Sequence, residues 1–341
     1  MIVYIYPVKT AFTERDILML RSEHRVKPLP FTQSPILLPL FFILQFFQLL
    51  LLLPFTTHYM CFFGGYHSVI PVFLGKLFSI PTFIQAGGTD AVNMPSINYG
   101  NYRKKWLKKA TTYSFLNCTK ILPVAESLVA YDYSYDSSIP KKQGLKNLIP
   151  NLKTPIEVIY NGFDAELWKD LGKKRTPYSF ITVAKGISKI QRAKVKGIDL
   201  IENLAKEFPD FHFTLIGDAS YLPKRKNIKV VGSLNQTEIV AILNEHQYYL
   251  QLSTSEGFPN ALAEAMLCGC VPIGSAVGDI PNIIADTGVI LESRDIKNLK
   301  NIISSLDQSL FDLKSEMARK RIILNFSFEK RRNALLSLFQ S

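Results

Sequence analysis

The sequence has 341 residues, of which 47% are hydrophobic and 20% charged, with 18 Gly and 19 Pro. That length exceeds one ordinary core and suits two domains, and the composition excludes a disordered chain and a collagen-like fibre. The net charge of +12 is concentrated in residues 1–155, with 16 Lys/Arg against 7 Asp/Glu compared with 24 against 21 in the remainder, so an anionic partner is expected: membrane headgroups, nucleic acid or a phosphorylated substrate.

The chain opens on the apolar run MIVYIYPV, read as a strand, and TAFTERDILML completes a βα unit, with Thr10 preceding acidic residues of a first helical turn. From Pro35 to Phe55 the run PILLPLFFILQFFQLLLLLPF carries no charge, and its length approaches the ~20 residues that cross a bilayer. Pro39, Pro54, Gln45 and Gln48 weigh against a span, as does its position between two strands of one domain. A helix over 35–53, either buried on a sheet or lying at a membrane interface, leaves the domain whole. HYMCFFGG, IPTFIQAGG and CTKILPVA read as further strands. Between the last two lies NYRKKWLKKA, Asn101 to Ala110, in which five cations flank Trp106. This is either a solvated helix face or a seat for anionic headgroups.

Residues 137–155, SSIPKKQGLKNLIPNLKTP, are polar and proline-punctuated and mark a domain boundary. Beyond them EVIYNG, YSFITVA, FHFTLIG, IKVVG, YYLQLS, VPIGS and GVILES read as short buried strands, separated by helical stretches such as GIDLIENLAKEF and TEIVAILNEH. Such alternation predicts an α/β chain of two Rossmann-like, doubly wound domains facing a cleft, with ligand at the carboxyl ends of the strands. The expected division is 1–155, 156–325 and a C-terminal helix, 326–341, crossing back to the first domain. The four cysteines lack metal-ligand spacing, and Cys268 and Cys270 read as small-residue helix packing. A reducing compartment is expected, with no cleavable leader.

Chemistry concentrates in SEGFPNALAEAMLCGC, Ser255 to Cys270. Pro259 near a first helical position starts a helix close to Asn260. Glu264, one turn in, leans back toward the helix mouth, and Glu256 overlooks the same mouth from the preceding loop. Free amides and the helix dipole favour an anion there, and Gly257 lets backbone approach it. Carboxylates on either side suit vicinal hydroxyls, as on sugars and riboses. Cations for a diphosphate are offered by TVAKGISKIQRAKVKGIDL, where Lys185 directly follows a strand and Lys196 directly precedes a helix glycine.

SEGFPNALAEAMLCGCVPI, VIYNGFD and KGIDLIENLAKEFPDFHFTLIGD together resemble the retaining glycosyltransferases of family 4, which have the GT-B fold. The first is similar to the family's Glu-x7-Glu element. The first half of the chain is similar only through TAFTERDI and GGTDA. The resemblance implies that Glu264 binds the ribose of a nucleotide-sugar donor. Glu256 and the stretch Gly257, Phe258, Pro259, Asn260 and Ala261 would hold the transferred sugar and phosphate. Lys196, together with Lys185 or Arg192, would bind the diphosphate, and the base would rest near Gly232. Many members carry a histidine in the first domain where this chain has Gly87-Gly88-Thr89-Asp90, which makes Asp90 the candidate sugar contact and His67 a weaker one. A Gly-Gly-x-Pro-Glu element is altered to VGDIPNII, with Asp279 and Asn282 at the changed positions.

The implied activity is transfer of a sugar, with retention, from a nucleoside diphosphate to an acceptor hydroxyl in cell-envelope polysaccharide or glycolipid synthesis. Glu256, Lys196 and Asp90 are the candidate catalytic residues. No Asp-x-Asp pair occurs, and neither a metal nor another cofactor is expected. The expected partners are the nucleotide-sugar, a glycan or lipid-linked acceptor and an anionic membrane surface; the expected location is the cytoplasm, peripheral on the inner face of the membrane. Two rivals are a sugar-nucleotide epimerase of the same architecture and a basic nucleic-acid- or lipid-binding protein without catalysis, for which only YRKKWLKK interleaves cations with aromatics.

Overall fold

The computed structural model describes residues 1–340, which form two packed units. Residues 1–132, 140–160 and 329–340 make the first, and residues 133–139 and 161–328 the second.

In the first unit five short apolar runs become parallel strands: β1 (Ile2–Tyr6), β2 (Val26–Pro30), β3 (His58–Phe62), β4 (Thr82–Ala86) and β5 (Lys120–Pro123). Their order is β2-β1-β3-β4-β5, one of the two common doubly wound orders. The sequence reading did not anticipate β2, VKPLP. Its two prolines lack ladder donors, which is tolerable only at a sheet edge, and β2 is the edge strand. Helix α1 (Ala11–Arg21) begins at a capping box: the Thr13 amide donates to Thr10 Oγ1 at 3.2 Å and the Thr10 amide to Thr13 Oγ1 at 2.9 Å.

Three helices lie side by side: α2 (Leu38–Leu52), α3 (Tyr66–Leu77) and α4 (Lys105–Asn117), with α3 packed on the sheet and against both of the others. Residues 38–55 are long and apolar enough to cross a membrane by length and composition. Both ends of this segment nevertheless enter strands that flank β1, so a span would tear the sheet apart. Burial on the sheet, the first alternative, also fails, because only Gln45 and Leu49 of α2 are buried. Gln45 is the inward residue, donating through Nε2 to the His67 carbonyl at 2.9 Å.

A two-stranded antiparallel pair, β6 (Tyr131–Asp132) and β7 (Lys142–Gln143), and the short α5 (Leu145–Leu148) close the front of the chain. EVIYNG, expected as a strand, forms none. Ile156, just before it, makes a single bridge with Ile121, and the Glu157 and Ile159 amides donate to the Ile121 and Pro123 carbonyls at 3.0 and 2.9 Å. Glu157 to Tyr160 therefore run along β5 in the first unit.

The second unit has six parallel strands: β8 (Thr176–Val183), β9 (His212–Ile216), β10 (Ile228–Val231), β11 (His246–Gln251), β12 (Val271–Ser275) and β13 (Val289–Leu291). Their order, β10-β9-β8-β11-β12-β13, is the 3-2-1-4-5-6 pattern of dinucleotide-binding folds. Chain direction across the sheet reverses between β8 and β11, so their carboxyl ends flank the topological switch point. Helices α6 (Ile190–Val195), α7 (Ile198–Glu207), α8 (Gln236–Leu243), α9 (Asn260–Leu267), α10 (Ile280–Ile284), α11 (Ile296–Ser304) and α12 (Phe311–Asn325) connect or cover these strands. Residues 133–139 also belong here: the Tyr133 hydroxyl donates to the Thr254 carbonyl at 2.9 Å and the Arg294 amide to the Tyr135 carbonyl at 2.8 Å.

The last helix, α13 (Phe328–Ser337), gives residues 329 onward to the first unit. Its Arg331 is 2% exposed and pairs with fully buried Asp16 of α1. Nε reaches Oδ1 at 2.8 Å and Nη2 reaches Oδ2 at 2.7 Å, while Nη1 donates to the Ile159 and Tyr160 carbonyls at 3.1 and 2.9 Å. Gln85 Nε2 and the Tyr4 hydroxyl also donate to Asp16 Oδ2, at 2.7 and 3.3 Å. Every strong donor and acceptor of this buried pair is matched, as burial of charge requires.

Candidate functional site

At the switch point β11 ends at Gln251, and the chain runs through Ser253-Thr254-Ser255 to Glu256 before α9. The loop is held from both sides. Ser275, ending β12, donates to the Ser253 carbonyl at 2.6 Å, and the Thr254 amide donates to the Val195 carbonyl at 2.7 Å. These bonds bring the end of α6 against the end of β11. The approach needs Gly197 at the start of α7: its φ is +68°, and a Cβ there would lie 2.1 Å from the Leu252 carbonyl oxygen. Only glycine meets both demands.

The consequence is that Lys196 and Glu256, sixty residues apart, form an ion pair of 2.5 Å between Nζ and Oε1. Both side chains are largely covered, 21% and 14% exposed. Gln251 Nε2 donates to the same Oε1 at 3.2 Å and to Ser253 Oγ at 2.8 Å, so the carboxylate is fixed from the strand as well. On its far side Gly278, with φ +57°, lets the 276–279 loop pass so close that a Cβ would sit 2.1 Å from the Glu256 carbonyl oxygen. The Asp279 amide donates to the Gly257 carbonyl there, at 3.1 Å, and Asn282 Nδ2 donates to Asp279 Oδ2 at 3.0 Å. The two altered positions of VGDIPNII thus brace the backbone beside Glu256.

Helix α9 starts at Asn260, with Pro259 as its N-cap and no side chain capping its first turn. Its opposite end is closed by cations. Arg175 Nη2 donates to the Cys268 carbonyl at 2.6 Å, and Arg319 of α12 donates to the Leu267 carbonyl. Guanidinium groups at the carboxyl end complement the dipole and leave its positive end at the switch point. Phe258, buried, stacks on Phe163 at 5.8 Å and meets Phe326 edge-on at 5.2 Å, while Asn161 Nδ2 donates to Asn260 Oδ1 at 2.6 Å. Asn161 and Phe163 therefore set the floor on which the helix mouth rests.

Glu264 is partly exposed, one turn into α9. Burial holds the Tyr249 hydroxyl well above its ordinary pKa, and the Glu264 and Glu256 carboxylates add to the rise. Both glutamates therefore act on one buried tyrosine of β11, whose hydroxyl accepts the Val183 amide at 3.3 Å. Lys185, two residues past β8, and Arg192, on α6, are exposed, and a Cβ on Gly186 would lie 3.9 Å from Arg192 Cγ. Gly232 follows β10, two strands along from β8.

The first-unit candidates are placed differently. Asp90 has no exposed surface. Its Oδ2 accepts the Gly64 amide at 2.9 Å and its Oδ1 the Gly87 and Gly88 amides at 3.1 and 3.0 Å. It staples the loops after β3 and β4 and offers no free edge to a sugar, which corrects the expectation of a sugar contact. His67 is likewise buried. Its Nε2 bonds the Phe62 carbonyl at 2.7 Å, and burial lowers its pKa to about 4, so it stands neutral as an internal strut.

Burial raises the Asp90 pKa from 3.8 to about 6, against the pull of the three amides. Between those values the folded unit holds a proton that the unfolded chain has released. This group's contribution is full below about pH 4 and is lost as pH rises through about 6. Thermal melts from pH 4 to 7 are therefore expected to show the wild type losing stability relative to Asp90→Asn as pH rises. A constant difference between the two would refute this.

Sequence reasoning missed Gln251, Tyr249 and the two arginines behind α9. A polar Gln251 in the buried strand YYLQLS was the one available signal, since a glutamine facing a core needs a partner. Nothing local pointed to Arg175 or Arg319.

Residues 187–308 match the family model described as glycosyl transferases group 1. Among curated proteins, the N-acetyl-alpha-D-glucosaminyl L-malate synthase of Bacillus anthracis is 28% identical over 193 residues, covering 51% of this chain and 51% of the relative. The capsular polysaccharide biosynthesis glycosyltransferase CapH of Staphylococcus aureus is 30% identical over 183 residues, covering 46% and 50%. The chain spans about half the length, or less, of the curated relatives it matches. Among solved structures, Anabaena Alr3699/HepE in complex with UDP superposes with a TM-score of 0.72 at 14% identity, covering 99% of each chain. The chain thus has the GT-B fold, and its residues 187–308 are similar to the glycosyl transferases of group 1.

Proposed function

We propose that the protein is a retaining glycosyltransferase that moves a sugar from a nucleoside diphosphate to an acceptor hydroxyl in the synthesis of a cell-envelope polysaccharide or glycolipid. The observation that carries this reading is the Lys196–Glu256 pair at the switch point of the second unit, beside the uncapped start of α9. The names of the relatives and the UDP bound to a structural neighbour support the substrate class.

In this reading the diphosphate lies at the mouth of α9, where the amides of the first turn and the dipole meet it. As the bond from the anomeric carbon to phosphate breaks, charge grows on the leaving diphosphate. The Lys196 ammonium stabilises that charge more in the transition state than in the bound donor, which is what accelerates the step. Glu256 holds Lys196 in place and accepts hydrogen bonds from hydroxyls of the moving sugar. Glu264 accepts from the ribose hydroxyls, Lys185 or Arg192 supplies a second cation, and the base lies toward Gly232. Asn260 and Ala261 contribute backbone donors.

The test is acceptor dependence. With a panel of nucleotide-sugars, release of nucleoside diphosphate is expected only when an acceptor hydroxyl is present. Conversion of the sugar-nucleotide without acceptor would instead establish an epimerase, and no turnover with any donor that shifts the melting temperature would defeat both.

A further inference from the structure

We propose that the first unit docks on an anionic lipid bilayer through the face formed by α2, α3 and α4, with α2 lying in the interface plane. Three independent observations converge on that face. The first is apolar exposure. On α2 and its flanks Ile36, Ile43, Phe47 and Leu51 are 89%, 57%, 59% and 76% exposed, and neighbouring α3 adds Phe73 and Leu77 at 47% and 61%. No charged residue occurs between Pro35 and Phe55. A surface for a protein partner keeps a polar rim around its apolar centre, whereas the exposed side of this helix is apolar but for Gln48 and carries no charge.

The second observation is charge. From His24 to Ala125 the only carboxylate is Asp90, which is fully buried, against nine Lys/Arg. Five of those cations, Arg103, Lys104, Lys105, Lys108 and Lys109, are exposed in and just before α4. Such a surface carries no exposed carboxylate to repel phosphate headgroups, and juxtaposed lysines draw it toward anionic lipid. Trp106, 68% exposed with Lys109 Nζ 4.9 Å from its ring centre, supplies the amphipathic ring favoured at the headgroup level.

The third is continuity. A cavity of about 580 Å³ is lined at once by Leu38 at the start of α2, by Tyr66 at the start of α3, by Lys104 just before α4 and by Leu107 within it. The apolar and basic elements therefore border one opening. An exposed apolar helix with cations on a neighbouring helix binds at an interface by buried apolar area plus electrostatic attraction.

The proposal goes beyond the transfer reaction and is tested without donor or acceptor, so its failure leaves the transferase reading untouched. The intact protein is mixed with vesicles of phosphatidylcholine alone or with about 30 mol% phosphatidylglycerol, and sedimentation and tryptophan emission are followed. Expected are co-sedimentation that favours the anionic vesicles and weakens with salt, and a blue shift that Trp106→Phe removes, Trp168 being buried. The triple variant Lys105→Glu/Lys108→Glu/Lys109→Glu is expected to lower the partition coefficient at least about tenfold. Ile43→Ser/Phe47→Ser is expected to weaken binding to both vesicle types. Equal partition of the wild type and the lysine variant, or equal binding to neutral and anionic vesicles, would overturn the proposal. So would a wild type that stays in solution with both and self-associates through α2 in light scattering.

Discussion

Replacing Lys196 by alanine is expected to lower turnover by about 10²–10³-fold, the usual cost of removing one preorganised group aimed at developing charge. The reasoning rests on position. The ammonium sits at the carboxyl end of the strand pair where the sheet order reverses, is only one-fifth exposed and is fixed by Glu256 at 2.5 Å. Its removal also leaves the Glu256 carboxylate without its cation beside an incoming diphosphate, so the donor KM should rise as well. Adding Glu256→Gln to Lys196→Ala relieves that repulsion and should restore donor binding while turnover stays low. Glu256→Ala alone should act mainly on turnover, whereas Glu264→Ala should act mainly on donor KM. Steady-state kinetics with varied donor separates these effects. Wild-type rates in Lys196→Ala and both glutamate variants would end the assignment of the site.

Arg331→Ala is expected to destabilise the first unit by about 3–5 kcal/mol, because removing one partner leaves the other charge buried and uncompensated. The Asp16 carboxylate would remain with two neutral donors, Gln85 and Tyr4, in a place without solvent exposure. The Ile159 and Tyr160 carbonyls would also lose their guanidinium donor. Arg332, the next residue, provides the control: it reaches Glu23 at 3.4 Å with 31% of its side chain exposed. Its replacement by alanine is expected to cost no more than about 1 kcal/mol, as screened pairs do. Urea unfolding of the two variants measures the difference, and equal midpoints would show that the buried pair does not hold α13 to α1.

Much of the architecture was legible because its signals are local. Period-two and unbroken apolar runs gave ten of the eleven strands of the two main sheets, all but β2, since strand side chains and neighbouring helices impose those patterns residue by residue. Thr10 announced α1, and Pro259 announced the start of α9, because caps and proline act within one turn. EVIYNG misled for the same reason. Its composition suits a strand, but strand identity also needs a ladder, and only one bridge to β5 forms. The apolar run 35–55 was legible as a helix and illegible in its burial, since hydrophobicity states a preference for leaving water without naming what covers it.

The candidate site divides along the same line. The spacing of Glu256 and Glu264 follows from a loop and one helical turn, so the sequence alone determined that the two residues stand on either side of one helix start. That Lys196 rather than Lys185 or Arg192 reaches Glu256 depended on Gly197 and Gly278 admitting two loops into close contact. Asp90 shows the converse. Its setting after GGT resembled a site residue, and only the folded loops after β3 and β4, which surround it with three amides, made it a buried staple.

The sequence by itself determined the two doubly wound halves, the helix start with a glutamate on either side and the strongly basic first half, because each is encoded by neighbours along the chain. Only the tertiary structure decided the strand orders, the partner of Lys196, the Arg331–Asp16 pair across 315 residues and the exposed face of α2. Those features are contacts between segments distant in sequence, and a charge or an apolar side chain does not specify its partner until packing has placed one within reach.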